Sequence, residues 1–198
     1  MTEIFEGRTS LPSSVAEKIM QADLYKTEGN TLYKQKEYRK AIGKYHRALL
    51  FIKSLQQKAN PLTQMLQISD QFVISDEMKE KMRIIEIGCY NNLSVCLLQG
   101  TQPNYDRIIE YSKFVTELDK KNVKAFYRQG LAYYYKHNFM ASLESFNQAK
   151  QHSQGIIDPG IKKYIAKCES QLANQEEKTK KMYKNMFGKM SNGSACSS

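Results

Sequence analysis

The stretch "KAFYRQGLAYYYKHNFMASLESFNQA", residues 124–149, holds two apolar-periodic runs joined by a short polar turn. In the second run Phe139, Ser142, Phe146 and Ala149 follow one another at steps of three, four and three. Those steps describe one face of an α-helix. Aromatic and small residues alternate along that face, and the small ones mark where a neighbouring helix comes close. Gly130 lies nine residues before Phe139 and allows tight contact from the first helix of the pair. The unit reads as a helical hairpin.

The same stripe occurs twice more. Tyr38, Ala41, Tyr45 and Ala48 repeat the steps, as do Tyr105, Ile108, Ser112 and Val115, with Ser112 the weakest match. The sets that begin at Tyr105 and Phe139 are 34 residues apart. Each stripe follows another apolar-periodic segment, "ADLYKTEGNTLYKQ", "IGCYNNLSVCLLQ" and "KAFYRQGLAYYYK", and Gly29 stands nine residues before Tyr38 as Gly130 does before Phe139. In the middle unit the turn "GTQPN" is about two residues longer, which places Cys96 at the glycine offset. A helix-turn-helix repeated every 34 residues has the tetratricopeptide period. The expected fold is all-α, a superhelix of three such repeats with a C-terminal capping helix.

Local signals divide the chain in the same way. Ser14 and Glu17 form a capping box, Asn104 and Asn138 stand ready to cap second helices, and Asn122 to cap the third repeat. A longer helix is expected from Ser75 or Asp76 to about Gln99, with acidic residues at the positive end of its dipole. Asp158 and Pro159 suit the cap and first turn of a seventh helix, whose Ile161, Tyr164, Ile165, Cys168 and Leu172 share a side. The expected domain spans 13–188: repeat 1 at about 20–53, an insertion at about 54–75, repeat 2 at about 76–120, repeat 3 at about 122–153 and the capping helix at about 158–188. Residues 1–12 and 189–198 read as disordered tails.

Composition excludes several classes of function. The chain has 198 residues and a formal charge of +10, enough for one domain with a continuous core. No apolar stretch approaches the roughly 20 residues needed to span a bilayer, and the N-terminus lacks a signal peptide's apolar core. The expected location is the cytosol or nucleus. Cys89, Cys96, Cys168 and Cys196 include no CxxC pair, and only His46, His137 and His152 accompany them. No zinc-ligand spacing exists, no metal or cofactor is expected, and the cysteines read as small core residues. Catalysis needs a converging nucleophile, base or metal; none is apparent, and the chain is not expected to be an enzyme.

Polar residues on the first helices are more informative. Lys26 and Asn30 are four apart, Lys124 and Arg128 repeat that spacing, and Asn92 lies on the helix between them. The first helices of stacked repeats line the concave face. A groove with three cations, two carboxamides and few nearby acids favours a ligand that presents more than one carboxylate. A peptide C-terminus ending in Asp or Glu supplies two.

These residues carry a specific resemblance. Lys26 and Asn30 in "YKTEGN", Asn92 in "CYNNLSVC", and Lys124 and Arg128 in "KAFYRQG" resemble the carboxylate-clamp type of tetratricopeptide repeat, which binds the acidic C-terminal tails of Hsp90 and Hsp70. The resemblance implies that Lys26, Asn30 and Asn92 hold the terminal α-carboxylate, while Lys124 and Arg128 receive the final acidic side chain. A closer likeness, over about residues 20–188, is to the tetratricopeptide repeat protein 9 family, through "YRKAIGKYHRALL", "CYNNLSVCLLQ", "PNYDRIIEYS" and "KAFYRQG". The segment "KKMYKNMFGKM" is similar to the tail of the large FK506-binding immunophilins, but residues 1–20 cannot hold an isomerase domain.

The expected function is therefore a non-catalytic adaptor or co-chaperone for an Hsp90 or Hsp70 tail. A second class of function rests on residues 174–190. There Met182, Tyr183, Met186, Phe187 and Met190 form a stripe among Lys178, Lys180, Lys181, Lys184 and Lys189. Such a helix suits calmodulin or another acidic partner. Nucleic acid is not an expected partner, since acids interleave with the bases and the tyrosines fall at packing positions.

Overall fold

The computed structural model describes residues 14–58, 74–100, 102–155 and 157–193, with side chains as far as Met186. The expected tail at 1–12 and most of the expected insertion, residues 59–73, lie outside the described residues, as do residues 194–198. Seven α-helices are described. They fall into two compact units, one ending at Lys120 and the other beginning at Lys121.

The first unit holds α1 (Val15–Lys34), α2 (Tyr38–Lys58), α3 (Asp76–Leu98) and α4 (Tyr105–Leu118). The Ser14 hydroxyl accepts from the Glu17 N–H at 3.1 Å while Glu17 Oε2 accepts from the Ser14 N–H at 3.1 Å, which satisfies two N–H groups that α1 leaves open. Ser75 caps α3 and Asn104 caps α4. Between α1 and α2 the Glu37 N–H reaches back to the Leu32 carbonyl at 2.9 Å, with Lys36 in the left-handed conformation at φ 62°. This closure turns the chain back on itself within a few residues.

The stripe is the seam of the first unit. Ala41, Tyr45 and Ala48 are fully buried, and Ile52 and Leu55 continue their spacing into the same core. Residues 54–58, expected to open the insertion, instead belong to α2, because Leu55 supplies one more buried step. Gln56 then donates to the buried Glu86 carboxylate at 3.0 Å. In the second hairpin Ile108, Ser112 and Val115 are buried, with Ser94 and Cys96 opposite them in the sequence pattern also buried. The Ser112 hydroxyl has no hydrogen-bond partner among the described residues.

The second unit holds α5 (Val123–Tyr135), α6 (Phe139–His152) and α7 (Pro159–Gly193). Asn122 and Asn138 cap the first two, and Asp158 Oδ1 accepts from the Gly160 N–H at 2.6 Å at the start of the third. Phe146, Ala149, Ile161 and Cys168 form the core, and Tyr164 stacks on Phe146 at 5.3 Å between centroids. The capping helix thus covers the apolar side of the third hairpin. Residues 189–193, expected to begin a tail, remain helical because no proline stops the run.

A ring lies on a glycine in each unit. A Cβ on Gly29 would come within 2.6 Å of Tyr45 Cε1, and one on Gly130 within 2.9 Å of Phe146. By contrast, Gly43 is exposed on α2 with no atom within 4 Å of its would-be Cβ. Gly29→Ala should therefore cost about 1–3 kcal/mol through overpacking, even though alanine favours helix by ~1 kcal/mol. Gly43→Ala should gain about 0.5–1 kcal/mol. Urea unfolding of both variants checks this; the same sign for both would contradict the packing described.

Candidate peptide-binding site

The first unit brings Lys26, Asn30 and Asn92 together. Lys26 and Asn30 are one turn apart on α1, and Gly88 and Asn92 are one turn apart on α3. The stem of Lys26 passes beside Gly88, where a Cβ would lie 3.4 Å from Lys26 Cδ. One turn further on, Asn92 Nδ2 donates to Asn30 Oδ1 at 2.7 Å, across 62 residues of sequence. Asn30 Oδ1 also accepts from the Tyr45 hydroxyl at 2.9 Å. Burial raises the Tyr45 pKa well above the ordinary phenol value, so the hydroxyl keeps its proton. The neighbouring Asn91 is buried, whereas Asn92 is half-buried and reaches the face shared with α1.

Charge around Lys26 differs from the sequence expectation of a groove with few acids. Asp23 Oδ1 lies 2.5 Å from Lys26 Nζ, one turn earlier on α1. The i,i+3 spacing of these two residues was legible in the sequence, yet only the rotamers show that the ammonium is already engaged. An incoming carboxylate would meet a cation shared with Asp23. Beyond that pair α1 and α3 frame a largely apolar groove of about 400 Å³, with Ile19 and Met20 on one wall and Met78 and Ile84 on the other.

The second unit carries the other two expected site residues. Lys124 is exposed in the first turn of α5, and Arg128, half-buried, follows one turn later on the same side. Their spacing suits two cationic contacts to one anionic group.

A separate surface of the first unit gathers basic and aromatic groups between α2 and α4. His46, Lys53 and Arg107 surround a groove of about 270 Å³ that includes Tyr90, Tyr111 and Phe114. Lys53 Nζ lies 6.0 Å from the centroids of both Tyr90 and Phe114, within cation–π range. Partial burial, then the charges of Arg107 and Lys53, hold the His46 pKa below its ordinary value. Among the described residues no group of three or more His, Cys, Asp or Glu side chains could hold a metal, and no helix is long and apolar enough to cross a membrane.

No family model matches the chain. Among curated proteins it is 32% identical over 176 residues to tetratricopeptide repeat protein 9C of Xenopus tropicalis, covering 88% of this chain and 97% of that one. The chain belongs to the tetratricopeptide repeat protein 9 family. Among solved structures, this family member is similar to the C-terminal TPR-containing domain of a Plasmodium falciparum FK506-binding protein, at 26% identity and a TM-score of 0.67. That match covers 83% of this chain and 97% of the other. It is also similar in fold to the Hsp90 co-chaperone Cns1 of Saccharomyces cerevisiae, at 19% identity and a TM-score of 0.62, over 91% of this chain and 47% of that one. The all-α tetratricopeptide fold follows, and with it the general role of a scaffold for protein–protein contact.

The described thiols of both units are buried away from reagents. Cys89, Cys96 and Cys168 are buried and unpaired. Burial pushes Cys89 up to about 12, against the nearby Lys26 charge, and pushes Cys96 up to about 11. Iodoacetamide at pH 8 should leave these three unmodified in the folded protein and alkylate all of them in urea, because the thiolate is the reacting species. Peptide mass mapping reads the result, and labelling of Cys89 without unfolding would contradict the packing of α3.

Proposed function

We propose that this chain is a non-catalytic adaptor of the co-chaperone kind that grips the acidic C-terminal peptide of Hsp90 or Hsp70. In this reading Lys26, Asn30 and Asn92 receive the terminal α-carboxylate, and Lys124 and Arg128 receive the carboxylate of the final acidic side chain. The observation that carries the proposal is the 2.7 Å contact between Asn30 and Asn92, with Lys26 against Gly88 one turn away. Residues distant in sequence thereby form a cluster of amide and ammonium donors on one face. Amides supply hydrogen bonds without charge, and the cations supply charge-assisted bonds to carboxylate oxygens. A peptide terminus ending in Asp or Glu presents two carboxylates to such donors.

Exposed ion pairs contribute only about 0–1 kcal/mol, but removing one partner of a desolvated pair costs about 2–5 kcal/mol. Lys124→Ala should consequently abolish calorimetrically measurable binding of a five-residue acidic chaperone tail. Its thermal midpoint should stay nearly unchanged because the side chain is exposed. Binding should also weaken as salt rises. Undiminished affinity in this variant would overturn the clamp.

A second reading concerns α7. Met182, Tyr183 and Met186 are 60%, 51% and 50% exposed, and Lys178, Lys180, Lys181 and Lys184 are exposed on the same stretch. This arrangement supports calmodulin or another acidic partner as an additional ligand. Titrating the full chain with calcium-loaded calmodulin should shift the Tyr183 environment; absence of complex at micromolar concentrations removes this reading.

A further inference from the structure

The two walls of the groove between α2 and α4 have the same spacing. On α2, His46, Leu49, Leu50 and Lys53 stand at i, i+3, i+4 and i+7; on α4, Arg107, Glu110, Tyr111 and Phe114 repeat those steps. Residues so spaced share one helix face. The walls run in the same direction, because His46 meets Tyr111 and Lys53 meets Phe114. The Tyr111 hydroxyl lies 3.5 Å from His46 Nε2, and Lys53 Nζ lies 6.0 Å from the Phe114 centroid. Tyr90 of α3 forms the floor, its buried ring stacked on Phe114 at 5.1 Å between centroids.

Charge stands at both ends of this groove, with apolar surface between. Arg107 and His46 mark one end, where Arg107 Cζ lies 5.7 Å from the Tyr111 centroid. Lys53 marks the other, and among the described residues it has no carboxylate within ion-pair distance. Seven residues at a rise of 1.5 Å put the two ends roughly 10 Å apart. Between them Leu50 is 66% exposed and Phe114 36%. Glu110 pairs with Arg107 at 3.1 Å, an exposed contact that a second carboxylate can share. Burial first, and then the charges of Arg107 and Lys53, lower the His46 pKa, so positive potential extends along the groove.

We propose that this groove docks an acidic amphipathic helix of a partner protein, one with carboxylates at i and i+7 and apolar residues at i+3 and i+4. Carboxylates seven residues apart on a helix span the same roughly 10 Å as the cations at the two ends. The apolar pair between them covers Leu50 and Phe114, which a purely polar anion would leave in water. A second copy of this chain is a poor occupant, since each copy carries +10. The groove lies within the first unit and uses none of Lys26, Asn30, Asn92, Lys124 or Arg128. The inference therefore stands apart from the peptide-binding role proposed above.

The test is a titration of the isotopically labelled full chain with a four-turn alanine-based peptide carrying glutamates at i and i+7 and leucines at i+3 and i+4. The peptide is acetylated and amidated, so it has no terminal carboxylate. Backbone signals at Leu50 and Phe114 should shift saturably. A control peptide of the same composition, with the second glutamate moved two positions off the face, should bind about tenfold more weakly. Lys53→Gln and Arg107→Gln should each weaken the first peptide about three- to tenfold. Both side chains are exposed, and the control peptide tests the register on wild-type protein alone. Equal affinity for the two peptides would reduce the groove to general attraction of charge and overturn the proposal. So would absence of binding, or shifts at Asn30 and Asn92 with Leu50 and Phe114 unmoved.

Discussion

The close approach of α1 and α2, set by the Tyr45 ring lying on Gly29, is the constraint on which the site depends. Only a residue without a Cβ permits that approach, since an added carbon would lie 2.6 Å from the ring. The approach buries the phenol and carries its hydroxyl to Asn30 on the opposite helix. Asn30 in turn meets Asn92 on α3. Helix packing and the polar face of α1 and α3 are therefore connected through one side chain. The buried ring fixes the hairpin, and the polar edge of that ring fixes an amide on its surface.

Electrostatics give the site a second character. Lys26 is held by Asp23 and is only 21% exposed along its side chain, so its ammonium is neither free in water nor reserved for a ligand. A carboxylate bound there would have to share or displace that pairing. Under the proposed peptide-binding role, the contact would depend on the amide donors as well as on charge, which would reduce indiscriminate attraction to any acidic surface. A formal charge of +10 alone would attract many partners and choose among none.

Much of the fold was legible in the sequence because its cause is periodic. The stripes at Tyr38, Tyr105 and Phe139 mark the second helix of each hairpin, and Ser14, Asn104, Asn122 and Asn138 mark helix starts through side-chain oxygens that the structure shows in use. The end of α2 was less legible, since Gln56, Gln57 and Lys58 are polar and only Leu55 announces another buried step. At the site, the i,i+4 spacing of Lys26 and Asn30 places them on one face. Their meeting with Asn92 is a tertiary contact that no local spacing encodes. The Tyr45 hydroxyl was hidden for a different reason: at a packing position tyrosine and phenylalanine satisfy the same apolar pattern, and only the tertiary positions of Asn30 and Asn92 give the oxygen partners.

The central claim is that the face built by Lys26, Asn30 and Asn92 receives the carboxylate of an acidic peptide terminus. The most direct measurement is a titration of isotopically labelled protein with an acidic chaperone tail, following the side-chain amide resonances of Asn30 and Asn92 by nuclear magnetic resonance. Those resonances should shift saturably and together, while backbone signals at Leu50 and Phe114 on the α2–α4 surface stay in place. Saturable shifts confined to the α2–α4 surface, with Asn30 and Asn92 unmoved, would contradict the account.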